Sequence, residues 1–282
     1  VVKVALVQHD VAFEDAPATL AHLAPLVRKA AGDGARLVVL TEMFATGFSM
    51  APSKVAEPRG AGPGWRFLTE LAAETGAAVC GSLPVQDMGK GRPFNRFVCA
   101  LPDGATFGYD KVHPFSCAGE HEHYEAGTRV VTFRWEGTAF TPFVCYDLRF
   151  GDLFWQSALR TDCYLLVSNW PAARQAHFRA LALARAIENQ AYVLATNRFG
   201  SGGGVEYAGG TIAVGPFGEV LAEAGDKEEV LLVDLSPERV AEVRSAYPFL
   251  RDRRPFLLED ESSSATELPI MGSLDAGARQ PI

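Results

Sequence analysis

Short aliphatic runs that each stop abruptly at polar residues constrain this chain more than any other feature. Ala35-Arg36-Leu37-Val38-Val39-Leu40 ends in Thr41-Glu42. Ala105-Thr106-Phe107-Gly108-Tyr109, entered from the hairpin signal Asp103-Gly104, ends in Asp110-Lys111. Thr141-Pro142-Phe143-Val144 runs into Cys145-Tyr146-Asp147-Leu148-Arg149. Runs of this length, rich in β-branched and aromatic residues and separated by helical periodicity, read as the strands of an α/β protein. Open α/β sheets bind ligands outside the carboxyl ends of their strands. A carboxylate, an ammonium and a thiol each stand just past such an end, so the three are expected to share one cleft. Any one of them alone would be an ordinary first loop residue.

The remaining periodicity fills in the architecture. Helices are predicted over 15–31, where Leu20, Leu23, Leu26 and Val27 recur at helical spacing, over 63–75, near 152–159, over 175–189, and from Pro237 onward. Strands are predicted near the N-terminus and over 77–83, 96–101, 105–109, 130–135, 139–144, 163–167, 191–196, 209–214, 220–223 and 230–235. Crossover helices mixed with hairpins argue for mixed sheets faced by helices, not an all-parallel barrel. Leu37-Val38-Val39-Leu40-Thr41-Glu42 is echoed by Leu165-Leu166-Val167-Ser168-Asn169-Trp170, a hint of two sheets. No Gly/Ser or Pro-rich linker interrupts the pattern, so residues 1–256 are expected to form one domain. The stretch 257–282 lacks periodicity and is expected to be disordered or packed on a partner subunit.

Composition narrows the function. A net charge of −8 carries no electrostatic footprint for nucleic acid. No apolar run approaches the ~18–20 residues of a bilayer span, and the N-terminal apolar stretch is too short for a signal peptide. Five cysteines without a C-x-x-C pair argue against a disulfide framework and for a reducing cytoplasm. His113, Cys117, His121 and His123 have the chemistry of zinc ligands, but no second ligand pair matches them. They are expected to form a polar lid, with neither metal nor cofactor. At a strand end that leads into a helix, Cys145 would see aligned N–H groups that lower a thiolate pKa.

With Glu42, Lys111 and Cys145 in these contexts, residues 2–255 resemble the nitrilase (carbon–nitrogen hydrolase) superfamily. The likeness rests on Thr41-Glu42-Met43-Phe44, Tyr109-Asp110-Lys111-Val112-His113 and Cys145-Tyr146-Asp147-Leu148-Arg149-Phe150. Ser168-Asn169-Trp170-Pro171, Arg185-Ala186-Ile187-Glu188-Asn189-Gln190 and the 210–218 block support it in order. Two positions depart from the family's habit: Thr41 stands where proline is common, and Pro114 where leucine is usual. The resemblance implies a four-layer αββα sandwich, two mixed sheets flanked by helices, assembled as a homodimer or higher homo-oligomer. It implies Cys145 as nucleophile, Glu42 as proton shuttle, Lys111 with the Tyr146 N–H as oxyanion donors, and Glu120, or else Glu122, as a second glutamate.

Within the superfamily, the blocks at 42–48, 120–124 and 196–200 are similar to bacterial omega-amidases. The implied reaction is hydrolysis of the terminal amide of a small 2-oxo acid such as 2-oxoglutaramate. Alternatives are an amidase for N-carbamoyl or aliphatic amides, or a non-catalytic scaffold. A substrate carboxylate would call for Arg198 or Arg174, with Arg149 expected to pair with Asp147 or a neighbour. Phe44, Tyr146 and Trp170 are read as pocket walls, with core packing as the competing role. Arg185 and Glu188, three apart, are expected to pair on a helix that packs and assembles.

Overall fold

The structure, a computed structural model, describes residues 1–89 and 91–254; the tail expected over 257–282 lies outside the described residues. Along strand Val2–Gln8 side chains alternate between two faces, as the pleat requires. Val2, Val4 and Leu6 enter a core shared with Phe140, Phe143 and Phe154. Ala5 and Val7 face the other way, onto Leu23 and Val27 of helix Ala16–Gly32 and Leu68 and Leu71 of helix Pro63–Thr75. The same division runs through Leu37–Val39 and Ala78–Gln86: Leu37, Val39, Ala78 and Cys80 inward, Val38, Val79 and Leu83 toward the helices.

The first sheet runs in the order Glu229–Leu235, Val2–Gln8, Leu37–Val39, Ala78–Gln86, Phe94–Ala100, Thr106–Asp110, with Glu57–Pro58 paired beside Ala78–Gln86. The second runs Val220–Glu223, Ile212–Val214, Tyr192–Asn197, Cys163–Ser168, Thr138–Val144, Phe133–Trp135. Each has a central parallel trio bounded by antiparallel strands. Helices Gly151–Ser157 and Gln175–Asn189 cover the second sheet through Leu153, Phe154, Phe178, Ala182 and Ala186. The layers are helix, sheet, sheet, helix, the αββα sandwich expected. The two echoing segments are the middle strands of the two parallel trios, so their carboxyl ends emerge at equivalent positions. Among the described residues no helix is long and apolar enough to cross a membrane.

Strong local signals give the elements that match expectation most closely. Helix Pro63–Thr75 stops where Gly76 takes φ +70°, and Asp15 caps Ala16–Gly32 by accepting from the Ala18 N–H at 3.0 Å. Differences occur where glycine or compact turns carry no period. The hairpin Phe199–Gly202/Val205–Ala208 turns at Gly203 and Gly204, both at positive φ, in a stretch whose glycines hide the alternation. The strand expected over 130–135 is confined to Phe133–Trp135. The loop expected after Lys111 contains a helical turn at Glu120–His123. The helical course after Cys145 starts at once, as a 3-10 turn Cys145–Arg149, not near Asp152.

Arg185 pairs with Glu188 at 2.9 Å as expected, but it is no surface residue. Its Nε and Nη2 donate to the Leu148 carbonyl at 3.1 and 2.9 Å, and its guanidinium lies 5.3 Å over Phe154. The helix Gln175–Asn189 therefore holds the turn that carries Cys145. Replacing Arg185 by Met leaves a buried carbonyl without its donors, and each charge-assisted bond of this kind is worth about 1.5–3 kcal/mol. We expect Arg185→Met to lower unfolding free energy in urea by about 2–3 kcal/mol; an unchanged midpoint would show that the tether carries no stability.

Candidate active site

Glu42 leaves the middle strand of the first sheet into a turn where Met43 takes φ +39°. Hydrogen bonds hold this turn on both sides. The Met43 N–H donates to Ser82 Oγ at 2.8 Å, and the Ser82 N–H donates to the Thr41 carbonyl at 3.2 Å. Thr41, in the position proline commonly fills, is pinned through its side chain. His9 Nδ1 lies 2.8 Å from the Asp10 carbonyl, which can only accept, so Nδ1 carries the proton. Nε2 is then an acceptor, and the Thr41 hydroxyl donates to it at 3.0 Å. Burial lowers the His9 pKa to about 4, keeping the ring neutral.

The Glu42 carboxylate is fully buried. Oε1 accepts from Lys111 Nζ at 2.9 Å and from Asn95 Nδ2 at 2.8 Å, and Oε2 accepts from the Asn169 N–H at 2.9 Å. Asn169 Nδ2 donates back to the Glu42 carbonyl at 2.7 Å. The Lys111 ammonium also donates to Glu120 Oε2 at 2.8 Å, and Asn95 Nδ2 to Glu120 Oε1 at 2.9 Å. Glu120 Oε2 takes a further bond from the Phe115 N–H at 2.5 Å. Burial acting alone would lower the Lys111 pKa, but Glu120 and Glu42 reverse this and hold the ammonium charged. One ammonium cannot neutralise two carboxylates. Glu120 is accordingly raised, by burial first and with Glu42 adding to it against the pull of Lys111. Phe48 covers the ammonium, its ring centre 5.2 Å from Nζ.

Cys145 ends strand Thr138–Val144 and takes φ +44°, a left-handed conformation that costs a non-glycine residue about 1–2 kcal/mol. Asp147 holds it there. Its Oδ2 accepts from the Val144 N–H at 3.1 Å and from the Tyr109 hydroxyl at 2.8 Å. Its Oδ1 accepts from the His113 N–H and Nδ1, each at 3.0 Å. One buried carboxylate thus joins the cysteine turn to the segment that carries Lys111. The Cys145 thiol lies beside Glu42, and its pKa is pushed well up, by burial first and then by the negative charge of Glu42, with Lys111 opposing. The lowered thiolate pKa expected from the strand-to-helix junction is therefore reversed. Enclosure beside two carboxylates outweighs the N–H groups of one short turn. A neutral thiol beside a carboxylate can be deprotonated as it attacks an electrophile, and the adjacent ammonium can hold the oxyanion that forms.

The other expected residues fall in different places. Tyr146 is half-buried beside the thiol and packs on Phe115 and Phe150, ring centres 4.9 and 5.1 Å away. Trp170 donates its N–H to Asn197 Oδ1 at 2.7 Å and its indole N–H to the Arg174 carbonyl at 2.8 Å. Phe44 packs on Phe67 in the core between the first sheet and its helices, so its role is packing and not a wall of the site. Arg198 is fully buried, with Nη2 donating to Asp10 Oδ1 at 2.7 Å and to the Val11 and Ser201 carbonyls. Arg149 does not meet Asp147, whose oxygens are taken by Tyr109, His113 and Val144. It lies 4.9 Å over the Trp170 ring and 3.4 Å from His177 Nδ1. Glu120 is buried in the cluster, while Glu122 is exposed. Of the residues considered as zinc ligands, His113 is committed to Asp147, and Cys117 and His121 are exposed. Asn95 and Asn169 were missed. The available signal was a carboxamide within an apolar strand (Asn95) and one at the end of the echoing strand (Asn169).

The carbon–nitrogen hydrolase family model matches residues 3–245. Omega-amidase YafV of Escherichia coli (strain K12) is 38% identical over 261 residues, covering 91% of this chain and 98% of that protein. The 2-oxoglutaramate amidase of Bacillus subtilis (strain 168) is 31% identical over 223 residues, 78% of this chain and 85% of that protein. A CN-hydrolase superfamily protein of Xanthomonas campestris, solved with an arsenic adduct in its active site, superposes with a TM-score of 0.85 at 34% identity, covering 91% of this chain and 98% of that one.

The buried His9 beneath Glu42 has a consequence for stability. The unfolded chain takes a proton near pH 6.5, whereas the folded one resists until about 4. Acidification through that window therefore favours unfolding, by about 3 kcal/mol at its lower end. His9→Gln keeps an acceptor for Thr41 but has nothing to protonate. We expect urea unfolding at pH 7 and pH 4 to differ by more in the wild type than in His9→Gln; equal differences would place the acid sensitivity elsewhere.

Proposed function

This chain belongs to the carbon–nitrogen hydrolase family, and from that premise we propose that it is an omega-amidase. It would hydrolyse the terminal amide of a small 2-oxo dicarboxylic acid monoamide, of the 2-oxoglutaramate type, to the carboxylate and ammonia. The observation that carries the reading is the buried Lys111 ammonium bonded to Glu42 and Glu120, with the Cys145 thiol inside the field of all three. A non-catalytic scaffold has no use for such a cluster, because buried charges cost stability unless fully paired. The substrate class is supported by the two amidases from Escherichia coli and Bacillus subtilis, each at least 31% identical over most of the chain.

Glu42 takes the thiol proton as Sγ adds to the amide carbonyl. The carbonyl π pair moves to oxygen, where Lys111 and the Tyr146 N–H, at the open start of the turn, receive it. The carbonyl reforms, the C–N bond breaks, and Glu42 delivers its proton to the departing nitrogen, leaving an acyl thioester and ammonia. Water then gives a proton to Glu42 and its oxygen to the acyl carbon. Collapse of that adduct breaks the C–S bond, frees the acid and returns the proton to sulfur. Because the resting thiol is neutral, its charge develops only while a carbonyl is present to take the electron pair. Glu120 is a positioning residue: with Phe115 N–H and Asn95 it holds the ammonium toward Glu42 and the thiol.

Five free cysteines support a reducing cytoplasm. Ile187, Phe217, Tyr247 and Phe249 are exposed, with Phe217 stacked on Tyr247 at 5.0 Å and Phe249 tilted against Tyr247 at 5.8 Å. This apolar patch supports burial against a second copy in a homodimer or higher oligomer. Sedimentation of the wild type as a monomer, or an assembly untouched by Ile187→Glu, would count against that use of the patch.

Turnover of 2-oxoglutaramate, N-carbamoyl-β-alanine and short aliphatic amides, measured side by side, tests the activity. We expect the first to be preferred and mass spectrometry to find the acyl group on Cys145. Glu42→Gln should slow turnover about 10²–10⁴-fold and Lys111→Met about 10²–10³-fold. Glu120→Gln should be impaired, while Glu122→Gln should match the wild type. Full activity in Cys145→Ala would overturn the mechanism.

A further inference from the structure

The cations around the site are nearly all engaged by protein groups. Lys111 is held by Glu42 and Glu120. Arg198 is held by Asp10 and the Val11, Phe199 and Ser201 carbonyls, with Nη1 alone lacking a hydrogen-bond partner among the described residues, and Arg185 is held by the Leu148 carbonyl and Glu188. Arg149 rests on Trp170 and His177. Arg174 differs. It is half-buried, yet among the described residues its guanidinium meets no carboxylate and donates no hydrogen bond. It ends the 3-10 turn Ala172–Arg174, which Trp170 fixes through its indole N–H. The guanidinium lies 5.4 Å over Phe115, and Phe115 packs on Tyr146, the residue after the nucleophile.

Tyr207 is the second unengaged group. The residue is 7% exposed; its ring is enclosed while its hydroxyl keeps an open side and, among the described residues, has no hydrogen-bond partner. Strand Val205–Ala208, which carries it, packs against the turn Ala172–Arg174. The Arg198 guanidinium, 4.5 Å over the Tyr207 ring, fixes the ring in place. Burial raises the phenol to about 12, and Arg174, Glu42 and Cys145 all act on it, so the hydroxyl is a proton donor within the field of the nucleophile.

We propose that Arg174 and Tyr207 form the subsite that grips the carboxylate at the far end of the substrate, one supplying charge and the other a neutral donor. This deepens the omega-amidase reading and rests on it. A guanidinium without a carboxylate of its own, near a phenol hydroxyl that is open and without a protein partner, matches what an incoming carboxylate supplies. A plain aliphatic amide brings nothing to this pair, so the subsite discriminates between the two substrate kinds. Arg198, tied to Asp10 through Nη2 and stacked over the Tyr207 ring, is assigned the support of that ring.

The test compares 2-oxoglutaramate with an uncharged short amide on purified full-length enzyme. Arg174→Met should raise KM for 2-oxoglutaramate about tenfold or more and leave kcat/KM on the neutral amide within about twofold. Arg174→Lys should recover part of the loss, and Tyr207→Phe, which keeps the ring under Arg198, should give a smaller rise in KM. The product 2-oxo acid, used as a competitive inhibitor, should weaken in parallel. A wild type that prefers the neutral amide over 2-oxoglutaramate would defeat the omega-amidase reading and this subsite with it. A wild type that turns over 2-oxoglutaramate, with Arg174→Met and Tyr207→Phe unchanged, would defeat the subsite alone. Equal losses on both substrates would also overturn it, since they would mark a structural role.

Discussion

One buried ammonium between two buried carboxylates is the interaction on which the rest of this structure depends. Lys111, Glu42 and Glu120 come from three separate segments and are all nearly inaccessible. Charges so enclosed persist only when their remaining hydrogen-bonding capacity is met, and removing one partner of such a set typically costs several kcal/mol. Asn95 bonds both carboxylates, the Asn169 N–H bonds Glu42, and the Phe115 N–H bonds Glu120. The surplus negative charge also sets the state of the thiol beside it. Cys145 rests protonated because burial disfavours a thiolate there and a third anion would face two carboxylates with one cation between them.

The two sheets explain how these segments meet. The middle strands of the two parallel trios end side by side, one in Thr41-Glu42 and the other in Ser168-Asn169. Asn169 and Glu42 exchange bonds in both directions, backbone to side chain and side chain to backbone. Strand Thr138–Val144, beside Cys163–Ser168, then delivers Cys145, and Thr106–Asp110 delivers Lys111. Asp147 couples these last two deliveries through Val144, Tyr109 and His113. The site is therefore braced from behind by residues that take no part in the chemistry, His9 with Thr41 and Arg185 with Leu148 among them.

The elements were legible where a local signal is strong. Helices Pro63–Thr75 and Gln175–Asn189 and strand Val220–Glu223 appear where the residue pattern puts them. The hairpin holding Tyr207 was not legible, because glycine at four of its positions erases alternation while the backbone still pairs. The helical turn Glu120–His123 is too short to show a period. Phe44 and Tyr146 both follow strand-end residues at the site, and sequence gives no means of telling that one turns toward the helices and the other stays by the thiol.

The order of residues along the chain determined by itself which elements form and which side chains stand at strand ends, because both follow from periods of two and 3.6 and from turn chemistry within a few neighbours. It was enough to bring Glu42, Lys111 and Cys145 under suspicion together. Only the tertiary structure decided that Glu120 and not Glu122 joins them, that Asp147 turns from Arg149 to Tyr109 and His113, that the thiol is neutral, and that Arg174 meets no carboxylate among the described residues. Those outcomes depend on dielectric and on distances between groups remote in the chain, and both come into being only when the two sheets close on each other.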